Sequence, residues 1–181
     1  IPVITIPAAI TALNYYLIKI FQRGYNFEMI DYWTEFKQNL VKGIPFGLLF
    51  GMLFGYAYYL MSLSGNYRYY SMGSMIFGIG IAVFIIGACL SSYSFVLNAM
   101  LDLSCKNILK NASILMIVEW KTSVMVFMVH CISVFIIMSF MPYAILIYVL
   151  IGFSMQQLSA CAMIVPIVMK RVVYPFENID D

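Results

Sequence analysis

Long runs without a formal charge alternate with short segments of mixed charge, and the runs have the length of membrane crossings. A hydrocarbon core of about 30 Å takes roughly 20 residues of helix. Residues 43–63, entered after Lys42 and left at Ser64-Gly65-Asn66, form one such span. Residues 70–101 form a second, longer than a straight crossing needs, so it tilts or projects near Asn98. Thr122 to Met169 carries no formal charge and holds two spans, 122–140 and 143–169, with the reversal at Ser139 to Tyr143 around Pro142. The opening stretch, 1–23, is apolar enough for a further helix, which spans or lies partly in the interface because Asn14 and Lys19 interrupt it.

The two segments between these runs have helical rather than loop patterning. In 24–42, Tyr32, Phe36, Asn39 and Leu40 recur on one face while Glu35, Lys37 and Gln38 fall on the other, with Asp31 placed to cap the start. In 102–121, Asp102-Leu103-Ser104 resembles a cap, and Leu103, Ile108, Leu109 and Leu115 stand among Lys106, Asn107 and Lys110. Each predicts an amphipathic helix that lies on the membrane surface or docks into a partner's groove. The expected fold is all-α: a polytopic transmembrane helix bundle with two amphipathic cytoplasmic helices and a cytoplasmic tail at 170–181.

Composition agrees, with 64 % apolar or aromatic residues, 10 % charged residues and a mean hydropathy of +0.94. A soluble domain is about 25 % charged, so this chain has too little polar surface to face water on all sides. Ten Lys and Arg against eight Asp and Glu leave no basic field for nucleic acid. Basic residues gather in three places: Lys19, Arg23, Lys37 and Lys42; then Lys106, Lys110 and Lys121; then Lys170 and Arg171. Only Arg68 lies on the other side, which orients those three segments and the C-terminus toward the cytoplasm. Tyr56, Tyr58, Tyr59, Tyr67, Tyr69 and Tyr70 flank Arg68 as an aromatic belt at the opposite boundary. Cys89, Cys105, Cys131 and Cys161 have neither CxxC nor metal-ligand spacing, and read as reduced thiols packed as small apolar groups.

Few residues inside the spans offer chemistry. His130 is the sole histidine, and with no Asp or Glu at membrane depth to relay a proton it reads as a hydrogen-bonded core residue. Gln156 and Gln157 are adjacent, about 100° apart on a helix, so at least one faces protein. They serve helix packing or line a polar pathway. Gly47, Gly51 and Gly55 repeat every four residues and predict a close packing face, internal or between copies in a homo-oligomer, whereas Gly73, Gly78, Gly80 and Gly87 keep no period. Glu119 and Lys121 flank Trp120 as an interfacial anchor and do not face one another. Nucleophile elbows, zinc motifs, phosphate loops and carboxylate pairs are all missing from the sequence pattern, which predicts a non-enzyme without cofactor or metal.

Three stretches carry a family resemblance. Pro2-Val3-Ile4-Thr5-Ile6, followed by Ala8, Ala9, Thr11, Ala12, Leu13 and Tyr16, is similar to PVxTIGxAxxALYY, the opening pattern of the YesL-like family of bacterial membrane proteins. Asp31-Tyr32-Trp33 with Phe36, Lys37 and Asn39 resembles that family's DFwxxFkxN segment. A third match runs from Leu101-Asp102-Leu103-Ser104 through Lys106, Leu109, Lys110, Asn111 and Ala112. The chain departs from the pattern at Pro7, where the family has a flexible glycine and a rigid turn is expected instead, and at Met100-Leu101, where Arg-Phe is expected.

The resemblance implies a multi-pass protein of the bacterial plasma membrane, with one more helix upstream of Ile1. It also implies a role as accessory subunit of a carbohydrate ABC importer, partnered by the permease subunits and their ATPase. Pro2, Thr5, Tyr32, Trp33, Phe36, Asn39 and Asp102 are then the motif or contact residues. The alternative is an independent small transporter or channel, which requires a polar cavity reaching His130, Gln156 or Gln157.

Overall fold

A computed structural model of the chain describes residues 2–23, 29–66, 71–140 and 151–173. Among them are seven α-helices and no strand: α1 Pro2–Arg23, α2 Met29–Lys42, α3 Ile44–Asn66, α4 Ser71–Met100, α5 Cys105–Val118, α6 Trp120–Ser139 and α7 Phe153–Val168. A π-helical turn, Met169–Val173, continues α7 just after Pro166, whose ring and missing N–H disturb the regular ladder. The reversal expected at Pro142, the Arg68 turn with Tyr67, Tyr69 and Tyr70, and the tail beyond Val173 lie outside the described residues.

Four helices, α1, α3, α4 and α7 with its π turn, are long and apolar enough to cross a membrane, or five if α5 and α6 form one broken span. The protein is therefore a multi-pass, all-α membrane protein. At 30 residues, α4 is about 45 Å long and overshoots a hydrocarbon core of about 30 Å, as its uncharged run predicts. α3 continues through Ser64 and Gly65 to Asn66, past its expected end at residue 63. The Ser64 hydroxyl donates to the Met61 carbonyl at 2.6 Å and the helix is not broken there.

α2 and α3 follow one another through a single turn residue, Gly43, whose N–H donates to Asn39 O at 2.8 Å. α2 runs back along α1 from about Lys19 to Pro7: Lys19 Nζ meets Asp31 Oδ2 at 3.4 Å near one end. Near the other end Gly43 lies against Pro7 and Ala8. Asp31 is thus inside the first turn of α2 and does not cap it. Pro7 is buried within α1, which passes through it as helix, so the turn expected at that proline does not form.

α5 bends away from α6 by 99° at Glu119. Ser104 has the extended backbone of an N-cap, but its side chain makes no cap bond. Ile108, Ala112 and Leu115, at helical spacing, bury the inner face of α5, while Lys106, Asn107 and Lys110 stay exposed.

The core is concentrated at the end of the bundle where the basic residues lie. Leu17 and Ile18 of α1, Phe46 and Phe50 of α3, Ile108 and Leu115 of α5 and Ile164 and Val168 of α7 surround the α4 stretch Ser92–Leu97, in which every residue is buried. A helix enclosed on all sides is a hub, and α4 is the hub here. Toward the other end the helices expose Met52, Tyr56, Tyr58 and Tyr59 on α3, Met72, Met75 and Ile79 on α4, and Phe135 on α6. Apolar exposure on that scale suits lipid.

Ion pairs tie the basic end together. Lys42 Nζ lies 2.7 Å from Asp102 Oδ1, and Arg171 donates to Glu119 Oε1 from Nε at 3.0 Å and Nη2 at 2.8 Å. The Lys42 ammonium holds the exposed Asp102 carboxyl below its ordinary range. Glu119 therefore has Arg171 as partner, and Lys121 is exposed beside it.

Candidate functional site

Glycines decide where helices touch and where space remains. A Cβ on Gly80 would lie 3.2 Å from Ala57 O and Met61 N, and one on Gly87 would lie 2.8 Å from Leu53 Cδ2, so these two let α4 close onto α3. The regularly spaced set behaves differently. Among the described residues nothing lies within 4 Å of a Cβ on Gly51 or Gly55, so these two form no packing face there. Gly47 and Gly51 border a cavity, because a helix face without side chains leaves room as readily as it admits a neighbour.

That cavity has a volume of about 460 Å³, within the range of small-molecule pockets. α1 contributes Ile6, Pro7 and Ile10, and α3 contributes Phe46, Gly47, Phe50, Gly51 and Phe54. α4 adds Phe84, Ala88, Ser91, Ser92 and Phe95, α6 adds His130, and α7 adds Phe153, Gln156 and Gln157. The aromatic wall is built by contact: Phe50 and Phe95 have ring centroids 5.6 Å apart, Phe46 and Phe95 6.0 Å, and Phe54 and Phe84 5.5 Å. Among the described residues that line it, none is Lys, Arg, Asp or Glu.

Polar groups converge on this apolar chamber. His130 Nδ1 is 2.8 Å from the Val126 carbonyl one turn back, and a carbonyl only accepts, so Nδ1 carries the hydrogen. In the neutral ring Nε2 is then an acceptor, and it faces the Ser92 hydroxyl at 3.4 Å. That hydroxyl has one proton and a closer acceptor in Ala88 O at 3.0 Å, so Nε2 is left weakly satisfied. Gln156 and Gln157 are both buried, and Gln157 Oε1 has no hydrogen-bond partner although the residue is only 7 % exposed. A buried polar atom in that state costs about 1–3 kcal/mol.

A second polar layer joins the helices behind the cavity. Asn98 Nδ2 donates to Thr11 Oγ1 at 3.1 Å, and Cys161 Sγ donates to Asn14 Oδ1 at 3.4 Å, linking α1 to α4 and α7. Ser123 Oγ lies 2.8 Å from Met116 O and 3.2 Å from the Tyr93 hydroxyl, which fastens the α5–α6 bend to α4. These are interhelical packing bonds of the kind that hold membrane bundles.

The remaining sequence-derived residues are dispersed. Asn39 is buried, its Nδ2 donating to Glu35 O at 2.9 Å, and Tyr32 and Phe36 are half-buried where α2 faces the bundle. Burial pushes the Tyr32 phenol above its ordinary range. Trp33 is 53 % exposed and stacks on Phe36 at 5.2 Å, so within one motif three residues seat the helix and one faces outward. Thr5 is half-buried on α1, which Pro2 opens, and Asp102 is exposed and paired with Lys42. Cys89 and Cys161 are buried free thiols, whereas Cys131 is exposed on α6 rather than packed.

Sequence reasoning singled out His130, Gln156 and Gln157, and the structure places all three on one cavity. It missed Ser91, Ser92 and the phenylalanines, whose only signal is that Phe46, Phe50 and Phe54 recur every four residues on α3, on a helix with aromatic residues elsewhere as well. Comparison with known proteins gives no match: no family model, no curated protein and no solved structure matches this chain.

Proposed function

We propose that this chain is a non-catalytic membrane protein that takes an amphipathic small molecule into the cavity between α1, α3, α4, α6 and α7 and passes it across or along the bilayer, as an independent small transporter. The observation that carries this reading is the meeting of His130, Gln156 and Gln157 on one aromatic-walled chamber, a requirement that helix packing alone does not impose.

Gly51→Phe supplies the test, since Gly51 borders the cavity and a Cβ there meets no neighbouring atom within 4 Å. Proteoliposomes holding either protein are loaded with a small-molecule extract of the native cells, and what escapes is followed by mass spectrometry. Compounds that leave wild-type vesicles faster than Gly51→Phe vesicles are cargo, and identical loss profiles would overturn the proposal.

A second reading, an accessory subunit of a bacterial carbohydrate ABC importer with its C-terminus in the cytoplasm, is supported by the motif resemblance and by the outward face of α2, where Met29, Ile30, Trp33 and Val41 are exposed beside charged residues. It requires that two permease chains and an ATPase purify with this protein from its own membrane in mild detergent. A Trp33→Ala variant then loses them while remaining folded. Recovery of the protein without them would remove that reading.

A further inference from the structure

We propose that the cavity selects uncharged amphipathic molecules whose polar end donates hydrogen bonds, the simplest of them a long-chain alcohol. The inference rests on the binding reading above and names its substrate class.

The two polar atoms that the protein leaves without a good partner at the cavity are both acceptors: Gln157 Oε1, on a side chain more than nine-tenths buried, and His130 Nε2, which shares one distant hydroxyl proton with a nearer carbonyl. An incoming O–H or N–H satisfies His130 Nε2 directly, and Gln157 Oε1 once its amide turns toward the chamber it lines. A second acceptor, such as a carboxylate or phosphate oxygen, satisfies neither and meets repulsion. Charge is excluded from both sides, because among the described residues the lining contains no Lys or Arg to neutralise an anion and no Asp or Glu to hold an ammonium. In a chamber walled by phenylalanine an unpaired ion is strongly disfavoured, and a neutral donor is not. Phe50, Phe84 and Phe95 offer the apolar body of such a molecule a matching surface.

The experiment uses the full chain in lipid nanodiscs and four diazirine photoprobes of equal chain length: a primary alcohol, the carboxylate, the primary amine and the plain alkane. Crosslinked peptides are mapped by mass spectrometry. The alcohol is expected to label α3 and α4 at Phe50, Phe84 or Phe95 about tenfold more than the carboxylate or the amine, the size of one net hydrogen bond. Gln157→Leu, close in shape, is expected to lower alcohol labelling toward the alkane level, with His130 Nε2 the acceptor that remains, while alkane labelling persists, which shows that the cavity survives the substitution.

Equal labelling by all four probes would overturn donor selectivity and leave cavity binding intact. Labelling confined to lipid-facing positions such as Met72 and Ile79 would overturn both readings. Unlabelled long-chain alcohol should displace the probe and glycerol at the same concentration should not; displacement by glycerol would mean that a soluble polyol, and not an amphipath, is the ligand.

Discussion

Gly43 stands where the turn between α2 and α3 meets the backbone of α1. A Cβ there would lie 2.9 Å from Asn39 O and 3.2 Å from Ala8 N, and backbone atoms at those distances give way only if whole helices move. Gly43→Ala is therefore expected to destabilise the protein by about 1–3 kcal/mol, the range for overpacked sites. Gly51→Ala, facing open space, should stay within about 0.5 kcal/mol of wild type. Thermal unfolding in detergent compares the two, and a Gly43→Ala midpoint equal to wild type would refute the close approach. The four-residue repeat of Gly47, Gly51 and Gly55 was legible in the sequence, but its meaning was not. Small residues leave a smooth helix surface, and only the neighbouring chain decides whether a helix or a cavity occupies the space. Gly80 and Gly87, without a period, make the contacts that the periodic set does not.

Hydropathy alone does not place α1. Its apolar run is long enough for a crossing, yet α2 lies antiparallel along it, with Asp31 paired to Lys19 in its second half and Lys37 on the same helix. Placing that half in hydrocarbon would carry those charges in as well, at a cost of several kcal/mol. That cost predicts that α1 beyond about Thr11 stands at the basic end outside the hydrocarbon, where α2, α4 and α7 cover it.

A run of apolar residues reads the same whether lipid or protein surrounds it, which is why the sequence left this element undecided. The patterning of α2 and α5 was legible, because one face of each meets water: Asn39 and Ile108 are buried and Lys37 and Lys106 exposed, as their spacing predicts. The 99° break at Glu119 was not, since Glu119-Trp120-Lys121 carries no proline or glycine to announce it. In a background lacking Cys105 and Cys131, Ile20→Cys is expected to react with a membrane-impermeant maleimide from the same face as Lys106→Cys, while Met75→Cys stays protected. Protection of Ile20→Cys would instead place all of α1 across the bilayer.

At the scale of the molecule, a tightly packed basic end passes into an open, lipid-facing half. The cavity lies among Phe46, Phe95, His130 and Gln157, drawing walls from both regions. The sequence showed that His130, Gln156 and Gln157 were polar residues inside uncharged runs. It could not show that helices separated by more than a hundred residues turn them toward one space, because that convergence depends on the α1–α4–α7 packing set by Thr11, Asn14, Asn98 and Cys161.

The central claim is occupancy of this cavity by a small molecule, and native mass spectrometry of the full chain, released from its own membrane in mild detergent, tests it most directly. The account predicts a population at the mass of the chain plus one small molecule, stripped by gentle collisional activation and missing from Gly51→Phe. A bare chain in both proteins, or the same adducts in both, would contradict it.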